Sequence, residues 1–459
     1  MISGNTFGIY NLGDFQFYDG RIEGEENNSI YGAMSSWTLN YNVSKYQNET
    51  SEKYDVDPGR EITVLEAREV AHLLSTNKNY MSLSEALKES QNEDTITVLS
   101  DVSVTEKLEI TEEKNIIINV NGYVITNAIE DYMIQNSGRL EIKNNTQATT
   151  KDNLVSNSYS AIYNKNAGTI KINNISMNAL FSKTDEEIIY NEGTINISDS
   201  NINVIASANN NYAIFNKGNL SISNGKVTIQ NNTNGTEEGY INTYGIYNEG
   251  EANVNEVNIQ MSNDYKYIKL YGIYNKKDIN KEETIITLQD NDITMTSSGL
   301  YTQMYGVYNE QSKLIMNNTN ISQEVNIMSK AYTIFNNSNE ATITGGSIKV
   351  AGAEDNNVDS SDLYAIYNTN NSNIHIESID VTAKGTFIAP LKDTDKTYGI
   401  YNEGNIELLY SSLNVSNAFN NAYGIYNTST GTIESQQNNI TVNHTTSSAN
   451  NAYGIYSEG

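Results

Sequence analysis

Apolar and polar residues alternate along most of this chain in one short, recurring figure. Residues 191–204 read NEGTINISDSNINV, with the pair Ile195/Ile197, a small polar turn, and the pair Ile202/Val204. Residues 216–229 (NKGNLSISNGKVTI) and 368–381 (NTNNSNIHIESIDV) repeat it. An apolar residue at every second position marks a strand with one buried face, and helical spacing is absent from these stretches. Ahead of each figure stands a phrase of the form Tyr-Gly-Ile-Tyr-Asn. Aligned on its central aliphatic residue, the phrase occurs at Ile9, Ile134, Ile162, Ile189, Ile214, Ile246, Ile273, Val307, Ile334, Ile366, Ile400, Ile425 and Ile455. From Ile134 onward the spacings run from 25 to 34 residues, about 29 on average. A period in that range is the mark of a solenoid or an array. Each repeat therefore predicts three short strands: the phrase, the first pair and the second pair.

Three short strands bury nothing alone. Coiled so that each lies beside its counterpart in the next repeat, about 4.8 Å away in a parallel sheet, they enclose a continuous core in which aliphatic falls on aliphatic. The predicted fold is all-β, a right-handed parallel β-helix of about twelve coils. A short capping helix stands at its N-terminal end, with a partial coil and a linker ahead of it.

The residue after the aliphatic is aromatic in every copy but one (Gln135), and the next is Asn in every copy but one (Ser457). A bend between stacked strands turns polar backbone inward. There Asn164, Asn191, Asn216, Asn248, Asn275, Asn309, Asn336, Asn368, Asn402 and Asn427 are expected to form a ladder, each amide bonded to the next. The alternative is that Asn simply tolerates a left-handed turn. Strict alternation points the aromatic outward, so Tyr247, Tyr274, Tyr308, Tyr367, Tyr401 and Tyr426 would line one face. That row is either a stacking column that stiffens the sheet or a glycan-binding strip, since sugar rings pack on flat aromatic faces. A bulge would reverse the facing.

Between Ile9 and Ile134 the phrase has no clear copy. Residues 1–24 read as the last coil of an upstream solenoid, and residues 25–78, which hold Trp37, as a linker or closing segment. Residues 79–459 read as the main β-helix. Ser82 and Glu85 have capping-box spacing, which starts a short helix at Leu83. A helix there would shield the open end of the core and its strand edge. This stretch, SLSEAL followed by DTITVLSDV and KNIIINVNGYVIT, resembles the N-terminal cap and first turns of pectin-lyase-like right-handed parallel β-helices in bacterial surface proteins. Coils such as SAIYNKNAGTIKINNISM resemble the repeats of adhesin-type, autotransporter-like and polymorphic outer-membrane families. The resemblance covers roughly residues 80–459. It implies an architecture rather than an activity, because such folds serve lyases, hydrolases, tail spikes and adhesins alike.

Composition narrows the chemistry. The 459 residues carry a net charge of −28, from 56 acidic and 28 basic side chains. That disfavours nucleic acid and anionic membrane as partners, because phosphate binding needs a basic patch. There is no Cys, hence no disulfide scaffold and no thiol nucleophile. No apolar run approaches the ~18–20 residues that span a bilayer, and the opening MISGNTFGIYN has no signal-peptide pattern. The arginines are Arg21, Arg60, Arg68 and Arg139, so the repeats beyond residue 139 hold none. Lyase relatives would need an Arg base, and hydrolase relatives paired aspartates and Gly-His-Gly, which this chain lacks. His72, His375 and His444 sit in unrelated contexts. Asp290/Asp292 and Asp393/Asp395 lack the Gly and distal Glu of a calcium loop. Glu192, Glu249, Glu310 and Glu403 share one register just after the Asn and read as a solvated edge. No cofactor or metal is expected.

The expectation is a non-catalytic structural or adhesive segment of a large bacterial cell-surface protein, extracellular, a rigid rod that displays a ligand-binding face to a glycan or protein. More solenoid is expected beyond both termini, because each falls within a coil. The alternatives are a carbohydrate-active enzyme, a polysaccharide lyase or glycoside hydrolase on the same fold, and a tail-spike-like glycan binder.

Overall fold

The aliphatic residues of successive phrases fall directly on one another. Ile189 registers with Ile214, Ile214 with Ile246, Ile246 with Ile273 and Ile273 with Val307. This is seen in a computed structural model of the chain. It describes residues 69–146, 153–157, 159–326, 328–352, 362–385, 396–417, 421–444 and 451–459, together with the backbone of short strands between residues 2 and 67. The phrase strands form one parallel sheet of thirteen, from Leu108–Ile110 to Ala452–Ser457. The first and second apolar pairs stack likewise, as Thr169–Asn173 on Thr194–Ser198 and Ser176–Phe181 on Asn201–Ala206. The result is a parallel β-solenoid of about 11 turns with three faces.

Alternation builds the interior. Along Thr194–Ser198 only Ile195 and Ile197 are buried, and Ile170, Ile195 and Leu220 continue one column through three coils. The core is one cluster running from Val70 to Ile425. Each fully buried Ile or Val contributes about 1.5–3 kcal/mol relative to exposure, but only because the coils on both sides cover it.

In a run of successive coils the turn between the first and second pairs is made by a single left-handed residue, and in the coil of Ala341–Gly352 by the two glycines Gly345 and Gly346. Asn174, Asp199, Asn224, Glu256, Asp290 and Asn318 all have φ between 45° and 56° there. Asn and Asp are the side chains that most readily adopt this conformation. Gly193, after the phrase Asn, answers a different need. A Cβ at that position would lie 2.2 Å from the carbonyl oxygen of Gly168 in the coil before it.

The N-terminal end is closed by antiparallel structure. Ala71–Leu73 pairs antiparallel with Lys78–Tyr80 and with Asp94–Val98. Helix α1, Leu83–Glu89, follows, with Ser82 Oγ accepting from the Glu85 amide at 3.0 Å and Leu83, Ala86 and Leu87 buried. Its last turn is held by Lys114, whose Nζ donates to the Leu87 carbonyl at 2.7 Å. Asp94 ties the cap together, accepting from the amides of Thr95 (2.8 Å) and Ser75 (3.1 Å) and from the Ser75 hydroxyl. Burial opposes its charge, yet these hydrogen bonds outweigh it and hold the carboxyl below its ordinary range.

Nearer the N-terminus, Ile9–Tyr10 pairs in parallel with Ile30–Tyr31, and Phe15–Phe17 with Trp37–Leu39. Ile30–Tyr31 thus stands in the register of a further phrase, 21 residues after Ile9, which sequence comparison missed because Gly32 replaces the Asn. Glu61–Ala67 pairs antiparallel with Gly20–Gly24 and with Val43–Asn48. Much of the stretch read as a linker, including residues 49–60, lies outside the described residues.

Candidate functional site

The phrase strand places two kinds of side chain in line. On the inner side, the Asn136 amide Nδ2 donates to Asn164 Oδ1 at 2.8 Å, and Asn164 to Asn191 at 2.7 Å. The series continues through Asn216, Asn248, Asn275, Asn309, Asn336, Asn368 and Asn402 to Asn427, every step between 2.7 and 3.0 Å. Each Nδ2 also reaches backbone carbonyls, as Asn164 does to Gly168 at 3.1 Å and Thr194 at 3.0 Å. The ladder residues from Asn136 to Asn402 are fully buried, and among the described residues no phrase asparagine has a positive φ. Left-handed turns fall on other residues. At the N-terminal end Asn136 Oδ1 is buried without a hydrogen-bond partner, because Ile110 occupies the register beneath it.

On the outer side lie two aromatic columns. Tyr247, Tyr274, Tyr308, Tyr367, Tyr401 and Tyr426 are half-buried and face outward, with Phe335 in the same column. Tyr247 stacks on Tyr274 at 4.9 Å and 3°, and Tyr274 on Tyr308 at 4.8 Å and 5°. The second column uses the first tyrosine of each phrase and was missed in the sequence. Tyr244, Tyr271 and Tyr305 stack at 4.8 Å per step, and each meets the first column edge-on, as Tyr244 meets Tyr247 at 5.3 Å and 86°. Both columns share a face because alternation breaks inside the phrase. Gly245 and Ile246 are both buried, and Gly245 has no cross-strand partner in the register. A Cβ on Gly245 would lie 2.3 Å from the Gly272 carbonyl oxygen, so the inward step requires a minimal side chain.

This stacking changes what the face offers. Ring faces are turned toward one another along each column, so what faces solvent is mainly ring edge and hydroxyl. The hydroxyls meet the glutamate register. Tyr163 donates to Glu192 at 2.7 Å, Tyr247 to Glu249 at 3.2 Å and Tyr367 to Glu403 at 3.1 Å, and Tyr274 and Tyr426 donate to Glu310 and Glu458. Burial first, then the bonded glutamate, pushes the Tyr163 hydroxyl up to about 12. Burial and the Glu249 charge push Tyr247 well above its ordinary value. These phenols are neutral donors at any physiological pH.

At the N-terminal end of the face a carboxyl replaces a ring. Glu187 stands in register with Tyr212, is buried, and accepts from the Tyr132 hydroxyl. Burial raises it to about 7, Tyr132 and Ser160 oppose that rise by hydrogen bonding, and the charges of Glu186 and Asp185 add to it.

The other candidates do not converge. His72 Nδ1 lies 2.8 Å from Asn79 Oδ1, and His375 Nδ1 lies 2.7 Å from Glu407, on a different face from the tyrosines. His375 and Glu407 line a surface groove of about 630 Å³ along the first-pair strands. Asp290 and Asp292 accept from Asn318 and Asn320 of the next coil, and Asp393 and Asp395 lie outside the described residues. Among the described residues no group of three His, Cys, Asp or Glu could hold a metal ion, and no helix is long and apolar enough to cross a membrane.

The class that the register defines is therefore a parallel β-solenoid with a polar inner ladder and an aromatic outer face. No protein-family model, curated protein or solved structure matches the chain.

Proposed function

We propose that this chain is a non-catalytic structural and adhesive segment of a large bacterial cell-surface protein, related to the adhesin-type, pectin-lyase-like β-helices its coils resemble. The rod displays a ligand-binding face outside the cell. The observation that carries this reading is the periodic pairing of tyrosine hydroxyl with glutamate, repeated along the coils. A face built by repetition suits an extended, repetitive partner, whereas an active site needs one unique cluster.

With the ring faces covered by their neighbours, a glycan would be held by its hydroxyl groups. Along Tyr247, Tyr274, Tyr308, Tyr367, Tyr401 and Tyr426 the ring edges supply contact area, and the phenol oxygens and paired glutamates supply acceptors for the sugar hydroxyls. Binding of the purified chain to a glycan array tests the proposal, alongside a variant carrying Glu249→Gln, Glu310→Gln and Glu403→Gln. The expected result is binding without turnover, weakened in the triple variant. Release of reducing or unsaturated sugar from an acidic polysaccharide would overturn it in favour of a carbohydrate-active enzyme.

A further inference from the structure

Stacking alone does not account for the hydroxyls. Phe335 fits the outer column as well as its neighbours do, 4.7 Å and 5° from Tyr308 and 5.1 Å from Tyr367. Yet the chain has 33 Tyr against 8 Phe, and the phenol is kept in most coils with a glutamate beside it. A phenol differs from a phenyl ring in one reactive respect. It gives up one electron readily when its proton has somewhere to go.

The geometry supplies both requirements. From Tyr247 an unbroken series of tyrosines runs through Tyr274 to Tyr308. It sidesteps Phe335 by way of Tyr305 and Tyr332, then continues from Tyr367 to Tyr456. No centroid step in that route exceeds 5.6 Å. Rings in near contact exchange electrons far faster than rings separated by a missing member. On the N-terminal side Phe215 stands between Tyr190 and Tyr247, and the series begins beside it at Tyr212, which lies 4.8 Å from Tyr244 and 5.5 Å from Tyr247. Glutamate proton acceptors pair with Tyr247, Tyr274, Tyr367 and Tyr426, at Glu249, Glu310, Glu403 and Glu458. On the detour Tyr305 donates to Gln303 Oε1 instead, and water takes the proton where no glutamate is bonded.

We propose that this column is a relay that carries oxidising equivalents along the rod. A one-electron oxidant at the surface, of the metal-polypyridyl(III) or carbonate-radical class, takes an electron from one tyrosine and is itself reduced. The O–H bond of that tyrosine breaks and its proton passes to the paired glutamate, leaving a neutral tyrosyl radical. The next tyrosine then returns an electron to that radical. Its own proton moves to its paired glutamate, or to water at Tyr305, Tyr308 and Tyr332, to which no glutamate among the described residues is bonded, while the first phenolic oxygen takes a proton back from the acceptor that received it. The net result is one reduced oxidant and one tyrosyl radical displaced along the column.

The absence of cysteine allows the oxidant to be placed at one position. Lys277→Cys, on the exposed corner of the Tyr274 coil, carries a tethered ruthenium polypyridyl that a flash and quencher convert to the Ru(III) state. 3-Aminotyrosine incorporated at position 456 reports arrival, since an o-aminophenol is oxidised more easily than a phenol and its radical absorbs differently from a tyrosyl radical. The reporter lies six coils, roughly 29 Å, from Tyr274. The expected result is a tyrosyl signal followed by an aminotyrosyl radical. Replacing Tyr364 and Tyr367 together by Phe leaves one coil without a phenol and keeps the stack. The aminotyrosyl signal is then lost, while the local tyrosyl signal and the circular-dichroism spectrum are unchanged. An aminotyrosyl radical that survives the Phe pair would overturn the proposal. So would its absence from the intact column when the tyrosyl radical forms.

Discussion

A single asparagine per coil links the chain's period to its chemistry. Asn275 accepts from Asn248 at 2.8 Å and donates to Asn309 at 2.9 Å, both buried, so removing it leaves Asn309 Oδ1 without its donor, while Asn248 Nδ2 keeps the Gly250 and Ile285 carbonyls. Asn275→Ala is expected to cost about 1–3 kcal/mol, the penalty of leaving buried polar atoms unpaired, and Asn275→Asp more, because a carboxylate cannot donate. Denaturant unfolding followed by circular dichroism checks the order wild type, Ala, Asp. The asparagines were legible in the sequence because the period alone brings them to one register. Tyr244 and its column were not, because strict alternation cannot show that Gly245 and Ile246 both turn inward. Glu187 was hidden too, since nothing local marks it as standing where other coils carry a ring. Its pKa is raised, so the folded chain holds that proton more tightly than the unfolded one. The stability this brings is full below the ordinary carboxyl range, and it is lost as pH rises toward about 7. Glu187→Gln should remove that slope and leave the variant up to about 3 kcal/mol more stable than wild type at pH 8, as read from denaturant midpoints across pH 4–8. An unchanged slope would place the titration elsewhere.

At the scale of the element, the strands and the capping helix follow from simple signals. Apolar pairs two residues apart gave the strands, and the Ser82–Glu85 spacing marked the helix that forms at Leu83–Glu89. The bend within the phrase did not follow, because it depends on how closely the next coil approaches. A Cβ at Gly272 would lie 2.6 Å from the Gly306 carbonyl oxygen and 3.1 Å from Ile293 Cγ2. Gly272→Val should therefore push two coils apart and cost about 1–3 kcal/mol, as overpacking does elsewhere. Thermal melts of the variant would show it, and a Tm equal to wild type would mean the phrase bends with less constraint than its geometry indicates.

Across the whole molecule, one coordinate matters: the position of each residue along the stack. The inner amides, the aliphatic core and the outer phenols all depend on neighbouring coils keeping the same register, which is why a chain of modest apolar content can build a long interior. That register is open to a direct distance measurement, because the chain has no cysteine to interfere with labelling. Asn201, Asp380 and Asn439 stand in one column on the second-pair face, linked coil by coil through the observed pairings. Spin labels on cysteines at 201 and 380, six coils apart, should lie roughly 29 Å from each other, and labels at 201 and 439, eight coils apart, roughly 38 Å. Narrow distributions at those two values, measured by double electron–electron resonance, are what a stacked solenoid predicts. Distances that do not grow by one strand spacing per coil would contradict it.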